Sequence, residues 1–522
     1  MTSASTTRRV ALLTAGAALA APWLPRPARA AGNVNAVLES EVVILDPHVT
    51  TAAITRSFAT HVFDTLFAMD GQGVIKPQMA EAWETSPDGL TWTFRLRDGL
   101  RWHDGAPVTA ADCVASLERW APRDSLGRML WAAKSEVTAM DARSFRIALT
   151  KPFPLMLDVL GKPNAPLPVM LPERLARTPG DQRIREIIGS GPFRFRAADW
   201  RPGNVMVLER FPDYRSREEP ADFLAGGRHV KVDTVTWRVM PDQATGATAL
   251  IAGEIDYMQY LPFDWIARLE RTRGVRLLGL GGIQQFLGNF RLNHAFPPFD
   301  DPAVRRVMWK LVDQTAILTA IGIPERFRAP PCPSFLMCGG PFSSTAGQEA
   351  MRLNVAEARQ MLRATSYRGQ PVIFLTVSES ISQTAARVAI ASMQEAGFTV
   401  DEQVMDWGTV LARRGRREGW SAFAVYANGT DMLSPLTNFY VSNTCADYPG
   451  WDCDPRVKAA IEAFAAAPDG AGRQRAAAEI QALCVDHVPS VMWGQFTIPA
   501  GYRDRLRNLP QSSYPIFWEV EA

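Results

Sequence analysis

Beyond residue 30 the chain has no apolar run long enough to cross a bilayer, so no transmembrane helix is expected there. It has little net charge. The 56 Lys and Arg against 54 Asp and Glu leave a formal +2, which gives no reason to expect nucleic acid or an anionic surface as partner. It has no G-x-S-x-G, no H-E-x-x-H and no glycine-rich loop ending in G-K-[ST]. Common hydrolase, zinc-protease and nucleotide-hydrolysis signatures are therefore missing, and no enzyme activity is expected. The six histidines, His48, His61, His103, His229, His294 and His487, lie far apart without an i,i+4 pair, and His103 in "RWHDG" reads as a structural turn residue. No two cysteines have C-x-x-C spacing. Neither a metal centre nor a thioredoxin-like redox pair is expected, and no cofactor is implied.

What is present starts with an export address. "TTRRVALLTAGAALAAPWLPRPARA" combines Arg8 and Arg9, an apolar run over 10–21 and the small-x-small triplet Ala28-Arg29-Ala30. That pattern predicts a cleaved signal over 1–30, and the paired arginines are similar to a twin-arginine signal. The mature chain is then soluble and begins at Ala31. A chain of 522 residues should hold two or three domains, and its 47% hydrophobic content is that of a globular protein. Six cysteines suit an oxidising compartment. Cys332 with Cys338, and Cys445 with Cys453, are spaced to close small rings, each worth about 2 kcal/mol. Cys113 and Cys484 lie in apolar helical patterns and read as buried free thiols. The basic run "RRGRREG" over 413–419 reads as a solvated helix end.

Periodicity gives a coarse element map. Residues 34–45 read as strand and 52–67 as helix. "GLTWTFRLRDGLRWHDG" reads as a hairpin through the alternation of Trp92, Phe94 and Leu96. Thr109 with Asp112 three residues later marks a helix start. Further strands are expected around 136–149, 193–198, 204–211 and 232–239. Residues 297–322 read as one amphipathic helix, with Pro302 in the first turn and Gly322 at its end.

From residue 371 the pattern is strand 371–377, helix 382–397, strand 398–404, helix 406–418 and strand 420–426. Such alternation implies a parallel sheet with right-handed crossovers. Ligands collect beyond the carboxyl ends of parallel strands. The three loops that follow those ends carry Ser378, Ser380 and Gln383; then Asp406 and Trp407; then Asn428 and Asp431. In the last, "AVYANGTDMLSPLTNFY" (424–440), an apolar strand gives way to a polar turn holding a single acid. One edge of one sheet thus gathers Gln383, Trp407, Asn428 and Asp431 as candidate ligand-binding residues. As alternatives, Asp431 reads as a solvated turn residue, and Gln383 and Asn428 as helix or turn caps.

The stretches 62–120, "GSGPFRF" (189–195), "LIAGEIDYM" (250–258), 296–318 and "MQEAGFTVDEQVMDWGTVLARR" (393–414) resemble family 5 of the extracellular solute-binding proteins. These are oligopeptide- and dipeptide-type periplasmic receptors of ABC importers. The resemblance covers nearly all of the mature chain. It implies an α/β, two-lobed periplasmic binding protein fold with a hinge. Lobe one is expected over 31–285 with an extra subdomain at 71–189 and a C-terminal return over 494–522. Lobe two is expected over 286–493. A monomeric periplasmic receptor that passes its ligand to a membrane permease follows from the same resemblance.

In peptide receptors of the family an Asp in the third loop, with Pro four residues on, holds the α-ammonium. Asp431 and Pro435 keep that spacing, and Trp407 matches the family's apolar wall. Two positions depart. Tyr426 lies five residues before Asp431, where relatives carry Trp three before. Gln383 or Thr384 stands where dipeptide receptors place an Arg for the α-carboxylate, and Arg387 lies a turn later. A neutral Gln does not replace a bidentate Arg. A free dipeptide is therefore disfavoured against a longer or amide-capped peptide or another cationic amine. Alternatives are an oligosaccharide, opine or metal chelate as ligand, with Trp407, Tyr426 and Trp451 as platforms for a sugar. A periplasmic hydrolase or chaperone is the alternative of another class.

Overall fold

A computed structural model describes residues 32–180 and 182–522; the expected signal over 1–30 lies outside the described residues. The fold is built on two large mixed sheets. One has seven strands in the order Val275–Leu278, Ala500–Arg503, Tyr257–Met258, Asn33–Val37, Thr234–Arg238, Val205–Arg210 and Phe193–Phe195. Asn33–Val37 is parallel to both its neighbours, and the remaining pairs are antiparallel. The other has five strands in the order Val400–Met405, Val372–Val377, Ala422–Asn428, Phe286–Leu292 and Ser490–Phe496. Its first three strands are mutually parallel, and Phe286–Leu292 runs antiparallel to both of its neighbours. A four-stranded antiparallel sheet, Ala80–Thr85, Thr91–Leu96, Ser144–Leu149 and Lys134–Ala139, forms a separate layer.

The chain passes between the large sheets twice, over 279–285 and 497–499. The two crossings touch: Gln285 Nε2 donates to Thr497 Oγ1 at 3.3 Å, and the Thr497 hydroxyl bonds the Leu280 carbonyl. Two adjacent strands of connection are what a hinge between lobes requires.

Local chemistry explains why the five-stranded sheet has its parallel part. Helix Ile381–Ala396 opens on Ser380, whose side chain accepts from the Gln383 N–H, and closes on Gly397 at φ 112°. Ala385, Ala386, Ala389 and Met393 are buried along it, in one core cluster with Phe374 of the strand Val372–Val377. Helix Trp407–Arg414 opens on Asp406, which accepts from the Thr409 N–H. Thr109 and Asp112 form a reciprocal capping box at the start of Ala110–Trp120. Both expected disulfides are present, Cys332–Cys338 and Cys445–Cys453, and Cys113 and Cys484 are buried free thiols.

Three expectations need correction. The single helix over 297–322 is two, Pro302–Val307 and Gln314–Ala320, separated by a 3-10 turn at Met308–Lys310. Asp313 accepts from the Ala316 N–H and starts the second helix afresh. The apolar stripe survives the break: Val304, Val307, Met308 and Leu311 are all buried. Thr91–Leu96 pairs with upstream Ala80–Thr85 and with distant Ser144–Leu149, whereas the expected downstream limb makes only an isolated bridge between Arg101 and Pro107. Alternation identifies a strand but carries no information on its partner. The first strand ends at Val37, well short of residue 45, so that Glu39 lies in a loop beyond its carboxyl end.

Candidate functional site

Asp431 is placed by the turn that ends the strand Ala422–Asn428. The chain enters a 3-10 turn at Gly429–Met432. Gly429 lies against a crossing segment: its N–H donates to the Gln285 carbonyl at 2.7 Å. A Cβ at this position would stand 2.5 Å from the Ile283 carbonyl oxygen and 2.6 Å from that of Gln285. Only glycine permits that approach. The next residue, Thr430, places its hydroxyl 2.9 Å from that of Tyr514 in the C-terminal segment, and the Tyr514 hydroxyl also reaches the Pro163 carbonyl at 3.3 Å. The turn is therefore fastened to the half of the molecule built on the seven-stranded sheet.

Asp431 points across the gap between the halves and meets a cation there. Arg56 Nη1 donates to Asp431 Oδ1 at 2.8 Å and to Oδ2 at 3.2 Å. Arg56 belongs to helix Ala53–Val62, which is buried along nearly its whole length. The Arg56 side chain is 4% exposed and that of Asp431 18%. The guanidinium also lies over the Tyr514 ring at 4.2 Å from its centroid. Burial works against the Arg56 charge, and Asp431, Tyr514 and Glu39 more than offset it, so its ionisation is held above the usual range.

Glu39 is the third charge. It is solvent-accessible, yet protein surrounds it closely enough that desolvation raises its carboxyl above the usual range; Arg56 opposes that shift and Asp431 adds to it. Its coupling to both members of the Arg56–Asp431 pair puts it at the same gap. Its N–H donates to Gln259 Oε1 at 3.0 Å. Tyr260 and Tyr426, both partly exposed, stand on either side of Phe286, at 5.7 and 5.5 Å between ring centroids. Burial lifts the Tyr426 hydroxyl to about 12, with Glu39 adding to the shift.

The other residues singled out from the sequence are distributed differently. Asn428 ends the strand that leads to Asp431, and its side chain caps nothing. Gln383 is committed within its own half: Nε2 donates to Glu402 Oε1 at 3.3 Å, and Oε1 accepts the Glu379 N–H at 3.1 Å. Arg387 pairs with that same Glu402 at 3.1 Å. Trp407 is 42% exposed, with the Arg414 guanidinium 5.4 Å from its ring centroid. A cavity of about 70 Å³ lies beside Thr430, lined by Met69, Ile75 and Leu155 from one half and Phe342, Leu433 and Leu436 from the other. Next to it Arg473 reaches Asp158 across the halves at 3.3 Å.

Sequence reasoning missed Arg56 and Glu39. A signal existed for the first: Arg56 is the one basic residue other than His61 in "AITRSFATHV", a helix otherwise made of small, apolar and hydroxyl residues. A strong cation in such a segment needs an internal partner. Among the described residues no group of three or more His, Cys, Asp or Glu is arranged to hold a metal ion, and no helix is long and apolar enough to cross a membrane.

Two sheet-centred halves, joined by paired crossings and facing each other over a charged gap, define a two-lobed solute receptor. The chain belongs to the bacterial extracellular solute-binding proteins of family 5, whose middle region matches residues 74–450. It is 33% identical over 528 residues to the probable peptide ABC transporter periplasmic-binding protein y4tO of Sinorhizobium fredii (strain NBRC 101917 / NGR234), covering 98% of this chain and 97% of that one. The glutathione-binding protein GsiB of Escherichia coli O6:K15:H31 (strain 536 / UPEC) is 25% identical over 426 residues, 78% of each chain. The solved structure of AgaA in complex with agropinic acid, from A. tumefacien R10, has the same fold at a TM-score of 0.76 and 22% identity, with 94% and 98% of the two chains covered.

Proposed function

We propose that this chain is the exported substrate-binding component of an ABC import system. It captures a small peptide or other amine-bearing solute between its lobes and delivers it to a membrane permease. Lobe one runs over 31–285 with a subdomain at 71–189 and a return over 494–522; lobe two runs over 286–493. The signal over 1–30, of twin-arginine type, directs the chain to the periplasm, where it acts as a monomer and not as an enzyme. The names of y4tO, a probable peptide transporter component, and of GsiB, a glutathione-binding protein, support this reading.

The observation that carries it is the presentation of Asp431 into the gap opposite Arg56. A ligand enclosed there is removed from water, where charge pairing strengthens and unpaired charge is costly. Asp431 supplies an acceptor for a ligand cation. Asn428 offers an amide beside it, Trp407 forms an apolar wall, and Gln383 holds the loop after the strand Val372–Val377 in place. The cavity beside Thr430 has room for about two waters, or for a small apolar side chain of the ligand.

Native mass spectrometry of protein purified from the periplasm tests the proposal. A co-purified peptide or amine supports it. A sugar, an opine or a metal chelate replaces the ligand class. Turnover of a bound peptide by the purified protein overturns the receptor reading in favour of a hydrolase.

A further inference from the structure

Asp431 does not enter the cleft as a free acid, because both of its oxygens share Arg56 Nη1. Lys162, another buried cation that feels Asp431, is paired with Asp124, both side chains being 3% exposed. Glu39 has no ion-pair partner among the described residues. With Glu39 ionised, the group Arg56, Asp431 and Glu39 carries one net negative charge inside the gap.

The position of Glu39 follows from topology. Asn33–Val37 and Tyr257–Met258 pair in parallel, with Ala36 opposite Tyr257 and Val37 opposite Met258. Two residues beyond each carboxyl end stand Glu39 and Tyr260. The Gln259 side chain ties the Glu39 backbone to the second strand at 3.0 Å. The seven-stranded sheet therefore offers an acid and an aromatic ring at the carboxyl ends of parallel strands. The five-stranded sheet offers Asp431 and Tyr426 at the same place on the opposite side of the gap. Open α/β sheets present ligand-binding groups at such ends.

We propose that Glu39 is the residue that selects a cationic group on the ligand, with Tyr260 and Tyr426 as the walls of that subsite. The inference rests on the receptor reading above and names the charge its ligand must carry. Closure over a neutral or anionic ligand leaves the Glu39 charge enclosed without compensation, and closure over an ammonium neutralises it. No free carboxylate is required, because Arg56 is already satisfied.

The test is titration calorimetry with Ala-Leu-Ala, N-acetyl-Ala-Leu-Ala and N-acetyl-Ala-Lys-Ala on the full mature chain and on its Glu39→Gln variant. Glu39 is accessible, so the variant should fold, and a thermal melt checks this. The expected result is at least tenfold weaker binding of an ammonium-bearing peptide by Glu39→Gln and equal binding of N-acetyl-Ala-Leu-Ala by both proteins. Loss confined to Ala-Leu-Ala identifies an N-terminal ammonium, and loss with N-acetyl-Ala-Lys-Ala a side-chain one. Equal affinity of the two proteins for both ammonium-bearing peptides overturns the inference and leaves the receptor reading standing. Failure of the wild type to bind any of the three overturns the inference together with the peptide-ligand reading on which it rests.

A second readout is the proton. Glu39 is faced by Arg56 from its helix, Asp431 from the turn, Tyr260, Tyr426 and Tyr514. A ligand cation brought against it favours its ionised form. At a pH above the usual glutamate value, where the folded protein still holds the Glu39 proton, binding to the wild type should release a proton to the buffer, and binding to Glu39→Gln should not. Equal release by the two proteins overturns the assignment.

Discussion

Arg56 and Asp431 stand 375 positions apart in the chain and share hydrogen bonds of 2.8 and 3.2 Å across the gap between the two halves. The pair neutralises the buried Arg56 guanidinium and is one of the contacts that join the two lobes.

Replacing Asp431 by Asn removes the counter-charge and leaves Arg56 buried. Stripping one partner from a buried pair costs about 3 kcal/mol at the low end of the usual range, which suits a carboxylate that is still partly accessible. Denaturant titration should show that loss, and the Arg56→Ala, Asp431→Ala double variant should recover part of it. If double and single variants lose stability additively, the two charges are not coupled. Binding of an ammonium-bearing peptide by Asp431→Asn should weaken by about two decades, the equivalent of the same energy.

The raised carboxyl of Glu39 makes a prediction about pH. In the unfolded chain this group ionises near 4.5. Above that value, up to its higher folded value, the folded protein retains a proton that the unfolded chain has lost. Stability therefore falls as pH rises through this window, and the deficit persists at neutral pH. Glu39→Gln cannot ionise and escapes it. The ligand-free variant should melt above the wild type at pH 7, with the difference vanishing below pH 4.5. A variant that melts lower at pH 7 would mean that the charge of Glu39 stabilises the fold.

The two disulfides close loops of similar span, six and eight positions, and each should contribute about 2 kcal/mol. Their exposure differs. Cys332 is fully buried, whereas Cys445 and Cys453 are both exposed. Timed reduction followed by alkylation and peptide mass mapping should find Cys445–Cys453 opened first. Simultaneous opening would show that reduction proceeds through global unfolding.

Cys113 and Cys484 are fully buried, and desolvation pushes both thiols well above their usual range. The native oxidised protein should take up no iodoacetamide at pH 8, and the denatured protein should take up two equivalents. Labelling of either residue in the native state would place it in a region that opens locally.

Much of the five-stranded half was legible. Asp406, Ser380 and Gly397 are caps whose hydrogen-bonding groups lie within a few residues, so local composition announces them. The parallel order of its first three strands follows from alternation of strand and helix, which by itself places Asp431 at a carboxyl edge. Legibility failed where a choice depended on distant chain. The strand Thr91–Leu96 takes its partners from 80–85 and 144–149, and the helix over 297–322 breaks because Asp313 satisfies a backbone N–H that an unbroken helix would bond internally.

The amino-acid order alone determined the periodicities, the helix caps, the candidate disulfide loops and the family, because each of these rests on residues near one another along the chain. Tertiary structure decided that Asp431 meets Arg56, that Gln383 is occupied by Glu402 and Glu379, and that Glu39 has no ion-pair partner among the described residues. Charge pairing across a gap leaves no periodic trace in a sequence. It is set by which strand ends the topology brings face to face, and by how much water the intervening protein displaces.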